Sequence, residues 1–199
     1  MDIYQHIKDK FKIQEYENIP LRGESNSTRE DLVDLFSELD FKTGAEIGVW
    51  EGTFSKIILQ RVKDVNLSCI DAWELYNEVG SLRKMKRLYQ TTVANLSPYP
   101  NAKIIRKRSQ DALSLFEDGS LDFVYIDAAH DFDNVMMDVI GWTKKVRSKG
   151  IVSGHDYVEL HRRSFDFGVQ LAVDTYTVAH KLCLYITQDR YHSWFFVKD

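Results

Sequence analysis

Long apolar runs are the first thing missing. No segment approaches the ~20 consecutive apolar residues that a bilayer-crossing helix needs, which excludes a helical membrane protein. The opening MDIYQHIKDKFKIQEYEN lacks the apolar core of a secretory signal. Cysteine is scarce: Cys69 and Cys183 lie far apart, each in an apolar run, and read as reduced core thiols, not a disulfide or metal pair. An excess of positive charge is also missing. Lys and Arg number 26 against 30 Asp and Glu, a net −4, which argues against nucleic acid as a partner. There are no internal repeats and no low-complexity tracts. Because 44% of the 199 residues are hydrophobic, the chain can bury a sizeable core as one domain. Together these features point to a cytoplasmic protein with neither membrane nor nucleic acid as partner.

What is present is an alternation of patterns. Ile3, Ile7 and Phe11 share one face of a first helix. The polar loop NIPLRGESNS follows, then a helix TREDLVDLFSELD with Thr28 as its N-cap and Asp31 three residues on. Residues 1–40 thus read as a helical segment packed on a domain of residues 41–199. From Thr43, β-rich runs alternate with helical ones: GAEIGV, NLSCID, AKIIRK, LDFVYID and GIVSG are each followed by a helical stretch. Phe54, Ile57 and Ile58 share a face, as do Leu82, Met85, Tyr89, Val93 and Leu96. Such alternation means right-handed βαβ units and a parallel sheet covered on both faces. KLCLYIT and YHSWFFVK are too close for a parallel crossover, so they pair antiparallel. The predicted fold is α/β, Rossmann-like, with five parallel strands plus a C-terminal antiparallel hairpin. The sheet does not require the first helix, which could pack on a second copy in a homo-oligomer.

The stretch AEIGVWEG, residues 45–52, marks the first strand's end. In open α/β sheets ligands bind at the carboxyl ends of the strands. Gly48 and Gly52 allow a close approach or a positive φ there, and a helix starting near Thr53 offers free N–H groups. The spacing is E-x-G-x-x-x-G, without the third glycine of a dinucleotide fingerprint or the Lys-Ser/Thr of a phosphate loop. Glu46 favours a ligand with positive charge over a pyrophosphate. Asp71 ends the next strand nineteen residues after Gly52, where an acid can accept both hydroxyls of a ribose. A ligand with a ribose, a cationic part and no phosphate matches S-adenosylmethionine. Structural roles compete with these: a tight turn for the glycines, a surface ion pair for Glu46, a cap for Asp71.

The chain resembles the class I S-adenosylmethionine-dependent methyltransferases from about Arg29 to Asp199. The resemblance rests on EIGVWEG, CIDAW, RKRSQDA, DFVYIDAAHDF, GIVSGHDY, GVQLAVDTY and SWFFVK in order. The last four are most similar to a small bacterial branch that modifies sugars and secondary metabolites. The resemblance implies that Glu46 and Gly48 line the methionine end, that Asp71 holds the ribose, and that Ser109 and Gln110 lie near the adenine. Ser109 could equally cap a helix. Trp73 or Tyr76 could close over the cofactor, or Trp73 could belong to the core.

Methyl transfer needs an acceptor aligned in line with the methyl group and, for a hydroxyl, a group that takes its proton. Candidates project from IDAAHD and SGHDY, at the ends of the fourth and fifth strands. If those strands are neighbours, Asp127 and Asp156 lie close enough to repel unless one is protonated or a cation sits between them. Mg²⁺ is the first choice for oxygen ligands. Metal-binding relatives are similar at these acids but carry a further acid where this chain has His155, and an imidazole shifts preference toward a transition metal. His130 and His155 are the natural proton acceptors, against structural roles as helix cap and loop brace. Asp131 and Asp133 suit the positive end of the following helix. The loop YVELHRRSFDFG, with His161, Arg162 and Arg163, overhangs the expected pocket and could meet a sugar or an anion. RKMKR, residues 83–87, reads as a solvated face.

The leading function is methyl transfer to a small molecule, most of all a hydroxyl of a sugar or secondary metabolite. An NAD(P)-dependent oxidoreductase is the alternative, short of a pyrophosphate-binding glycine. A catalytically silent cofactor-binding subunit is the third.

Overall fold

The computed structural model describes residues 2–15, 22–24, 27–75, 81–158, 161–162 and 165–199. Helix α1 (Ile3–Phe11) leads to short strands β1 (Gln14–Glu15) and β2 (Arg22–Glu24). Helix α2 (Arg29–Glu38) starts in a capping box, in which Thr28 and Asp31 satisfy each other's backbone N–H groups. The alternating core then runs β3 (Thr43–Ile47), α3 (Thr53–Arg61), β4 (Asn66–Asp71), α4 (Leu82–Leu96), β5 (Ala102–Arg106) and α5 (Ser109–Ala112), which tightens into a 3₁₀ turn. It continues with β6 (Leu121–Ile126), α6 (Phe132–Lys145) and β7 (Val146–Gly154). A small ribbon β8 (His161–Arg162) and β9 (Phe165–Asp166) precedes α7 (Val169–His180), β10 (Leu184–Ile186) and β11 (Trp194–Val197).

The sheet order is β1-β2-β10-β11-β7-β6-β3-β4-β5. The five strands from β5 to β7 are parallel, and β11 runs antiparallel to both β7 and β10. The parallel core and terminal hairpin match the expected architecture. Two further strands extend it: Arg22–Glu24, within the stretch that reads as polar loop, pairs in parallel with β10. Composition hides such a short strand, whose pairing with β10 is a matter of backbone register.

Side chains alternate across the sheet with period two. Phe123, Tyr125, Phe195 and Val197 face one core with α1 to α4. Ala45, Ile47, Val124, Ile126, Trp194 and Phe196 face the other, with α5 to α7. Ile3, Ile7 and Phe11 of α1 are buried in the first core, and the Phe11 ring lies 5.6 Å from Phe195. That apolar face is therefore occupied by this chain's own sheet and not left for a second copy. In α4 the buried face is Met85, Leu88, Thr92 and Leu96; Leu82 is 72% exposed and Val93 41%. The expected stripe fails at Leu82 and Val93, while Met85 and Leu96 are buried and Tyr89 packs partly buried against the core. The Thr92 hydroxyl on the buried face donates to the Trp50 carbonyl at 2.7 Å. Both cysteines are free thiols, Cys69 buried and Cys183 partly so.

Candidate active site

Strand register brings the site together. Ile47 pairs with Ile70 on one side and Ile126 on the other, and Ile126 pairs with Gly154. The next residues on each strand, Gly48, Asp71, Asp127 and His155, therefore leave the sheet at one level. Backbone bonds continue the ladder: Gly48 donates to Ile70 at 2.8 Å, Asp127 to Ile47 at 2.7 Å and His155 to Ile126 at 3.0 Å.

Gly48 has φ 90°, and a Cβ there would stand 2.0 Å from the Asp127 carbonyl oxygen. Its bare backbone serves the passage of β3 against β6, besides any ligand. Gly52, at φ 76°, begins α3. Between them Trp50 takes φ 54°, an unusual value for a bulky residue. Four contacts hold the bend in this shape. The indole N–H of Trp73 and the hydroxyl of Thr92 both donate to the Trp50 carbonyl, at 2.9 and 2.7 Å. The Asn95 amide donates to the Glu51 carbonyl at 2.8 Å, and the Lys84 ammonium lies 4.7 Å from the centre of the Trp50 ring. Trp73 itself is buried and packs on Tyr89. Tyr76 and Arg163 lie outside the described residues.

Asp71 braces the same bend. Its Oδ2 accepts from the Val49 and Trp50 N–H groups at 3.0 and 2.9 Å, and its Oδ1 from the Trp73 N–H at 2.8 Å. A carboxylate offers about four acceptor directions, so these three bonds leave one open. Glu46 differs more from expectation. It turns to the α3 face of the sheet, is 2% exposed, and accepts the Ser55 hydroxyl in the first turn of α3. Burial, partly offset by Ser55, pushes its carboxyl up to about 8. Near neutrality it is mostly uncharged, so it does not offer a ligand the negative charge that its position suggests. The even-numbered residues of β3 face α3, which decides this.

Ser109 and Gln110 converge on a residue that the sequence did not single out. Asp138 of α6 accepts the Ser109 hydroxyl at 2.5 Å and the Gln110 amide at 2.6 Å. The Trp142 indole donates to Ser109 Oγ at 2.8 Å. Burial pushes Asp138 up to about 6 against those two hydrogen bonds. Ser109 is the first residue of α5 and not its cap. An acid inside an otherwise apolar helix face, between Val135 and Val139, was the available signal for Asp138.

The four polar residues from β6 and β7 do meet. His130 Nε2 lies 2.8 Å from Asp156 Oδ2. His155 Nδ1 is 3.4 Å from Asp156 Oδ1 and 3.7 Å from Asp127 Oδ2. The imidazoles therefore relieve the repulsion between the acids. Burial raises the Asp127 carboxyl to about 6, opposed by His155 and assisted by Asp156. Burial would raise Asp156 too, but hydrogen bonds from both histidines hold it well below the carboxylate range. Both imidazoles move up: burial opposes the shift, and Asp156 outweighs it. Asp131, not His130, caps α6, through the Asn134 N–H. His130 is fixed instead by its carbonyl, which accepts from the Gly168 N–H at 2.7 Å, and by its ring, 4.8 Å from Phe167. Asp127, His130 and His155 line a cleft whose apolar wall includes Ile126, Val135, Val169 and Trp194. Among the described residues, Asp127, His130 and Asp156 present donor atoms within 4.8 Å of one another, a spacing that fits one metal ion. His130 joins the two acids in this spacing, whereas the sequence offered His155 as a possible third ligand.

A family model described as a methyltransferase domain matches residues 45–157, more than half of the chain, and spans the glycine bend, Asp71 and the histidine–aspartate cluster. The chain belongs to this methyltransferase family. A curated relative, the uncharacterized protein y4gI of Sinorhizobium fredii, is 27% identical over 101 residues. The match covers 50% of this chain and only 11% of that protein's length. The O-methyltransferase TomG from Streptomyces achromogenes, involved in tomaymycin synthesis and crystallised with S-adenosylmethionine, superposes with a TM-score of 0.64 at 14% identity, covering 100% of both chains. The N-methyltransferase NodS from Bradyrhizobium japonicum gives 0.60 at 12% identity, over 85% of this chain and 94% of its own. At these identities the likeness concerns the fold. This member of the family has the Rossmann-like fold that TomG shows. No helix among the described residues is long and apolar enough to cross a membrane.

Proposed function

We propose that this methyltransferase moves the methyl group of S-adenosylmethionine to a hydroxyl of a small molecule, a sugar or secondary metabolite. The cofactor supplies an electrophilic methyl on a sulfonium. The residues present fit it: Asp71 keeps one acceptor direction for a ribose hydroxyl, and Gln110, whose amide nitrogen is engaged by Asp138, turns its oxygen to an acceptor's role beside an adenine. Gly48 and Gly52 shape the bend between them, and Trp73 holds its carbonyl.

The observation that carries the reading is the His130–Asp156 pair beside Asp127. Asp156, ionised and hydrogen-bonded to Nε2, fixes the His130 ring and raises its basicity. The other ring nitrogen, Nδ1, can take the acceptor's proton as the new bond forms. His155, which also bonds Asp156, stabilises that carboxylate, and Asp127 balances the positive charge that His130 gains. The apolar wall of the cleft excludes water from the proton transfer.

The cluster also favours a second reading, in which a divalent ion held by Asp127, His130 and Asp156 lowers the acceptor's pKa. The mixed nitrogen and oxygen donors suit manganese, iron or zinc better than magnesium. Titration with S-adenosylhomocysteine and with NAD⁺, followed by methyl-transfer assays on hydroxyl and amine acceptors, tests the proposal. Binding of the first ligand alone, with transfer to hydroxyls, is the expected result. NAD⁺ binding, or cofactor binding without transfer to any acceptor, would overturn it.

A further inference from the structure

Arg29, the first residue of α2, is unusual among the described cations. Arg61 pairs with Asp34, Arg108 with Glu74 and Arg147 with Asp122. Arg29 is half-buried, and among the described residues its guanidinium makes no ion pair and no hydrogen bond. It lies over the Phe54 ring, 5.1 Å from Cζ. A guanidinium carries five donors in a planar fork, and leaving them unmet in a half-buried place costs free energy.

Its position is nevertheless fixed. The Arg29 N–H donates to Asp189 Oδ2 at 2.6 Å, and the Ser27 carbonyl accepts from the Gln188 N–H at 2.8 Å. The loop between β10 and β11 thus clamps the start of α2. Phe54 follows the glycine bend directly, and its ring stands 4.2 Å from Tyr125. The Arg29 charge acts on Glu46, Tyr125, Asp127 and His155, four groups at or just inside the carboxyl ends of β3, β6 and β7. The guanidinium therefore lies against Phe54, two residues past the glycine bend, with its charge felt at the strand ends.

The proposed cofactor ends in an amino acid, with a carboxylate that must enter a site already holding Asp71, Asp127 and Asp156. It needs a counter-charge. The two histidines are committed to Asp156. We infer that Arg29 receives the α-carboxylate of the cofactor's methionyl end, its planar fork meeting the two oxygens side by side above Phe54. This rests on the proposed cofactor and names the residue that recognises one of its groups. A bidentate site of this kind distinguishes arginine from lysine, whose point charge cannot match both oxygens.

The test compares S-adenosylmethionine with its decarboxylated analogue, which keeps the adenosyl sulfonium and the amine but lacks the carboxylate. Affinities are measured calorimetrically for the wild type, Arg29→Met and Arg29→Lys. The wild type should prefer the carboxylated form by about ten- to a hundredfold. Arg29→Met should lose that preference while binding the analogue as the wild type does, and Arg29→Lys should retain part of it. Arg29→Met that weakens both ligands equally, or neither, would overturn the assignment. So would an Arg29→Lys protein that keeps the full wild-type preference, should the methionine variant not fold. A wild type that binds the analogue but shows no preference defeats the role of Arg29 alone; one that binds neither ligand defeats the proposed cofactor with it.

Discussion

The imidazole of His130 and the carboxylate of Asp156 meet at 2.8 Å, although they project from the ends of two different strands. If His130 is the base, His130→Ala lowers the rate by roughly 10²–10⁴-fold and leaves S-adenosylhomocysteine affinity near the wild-type value. Single-turnover kinetics with calorimetric titration checks both. An unchanged rate, or an equal loss of affinity, removes this role.

The same pair sets a pH dependence. Asp156 outweighs burial and raises the His130 pKa, so the neutral base forms only at higher pH. Activity should rise with pH through that elevated value. In Asp156→Asn the support is lost, so the acid limb of the rate profile should move to lower pH. A limb that stays in place assigns the titration to another group.

Stability should fall as pH rises, because of Glu46. Its folded pKa of about 8 lies above the unfolded value of about 4.3. Between these values the folded state binds more protons than the unfolded one, so stability is full below the window and declines through it. Asp127 and Asp138, both raised to about 6, add to the lower part. Glu46→Gln cannot ionise and can still accept the Ser55 hydroxyl. Its thermal midpoint should be flatter with pH and exceed that of the wild type at pH 9. Parallel midpoint curves would refute the assignment.

Gly48→Ala should be among the most damaging single changes. The positive φ alone costs about 1–3 kcal/mol, and the new methyl would also overlap the Asp127 carbonyl. Denaturant unfolding should show the loss with no ligand present, a result that a purely ligand-facing glycine would not give.

Chelation separates the two accounts of proton removal. With His130 as base, EDTA leaves turnover unchanged. With a metal at Asp127, His130 and Asp156, activity disappears in EDTA and returns with Mn²⁺ more fully than with Mg²⁺.

Periodicity made the sheet, its hairpin and the cluster at the ends of β6 and β7 legible, because each depends on local pattern and strand order. Three things were not. Strand β2 carries no apolar signal and is held by backbone pairing with β10. Glu46 reads as a ligand-facing acid, but one residue of alternation turns it into the core. Arg29 is an ordinary helix-start residue in sequence, and only the fold carries it from outside the alternating region onto the Phe54 ring. Asp138 was visible as an acid among apolar neighbours, yet its partners Ser109 and Gln110 lie almost thirty residues earlier.

The bend at residues 48–52 is tethered at two carbonyls and two amides by Thr92, Trp73, Asn95 and Asp71. Its immobilisation entropy thus belongs to folding and not to ligand capture. Encounter with the cofactor should need no slow rearrangement of this segment, and the association rate should depend on ionic strength more than on any conformational step.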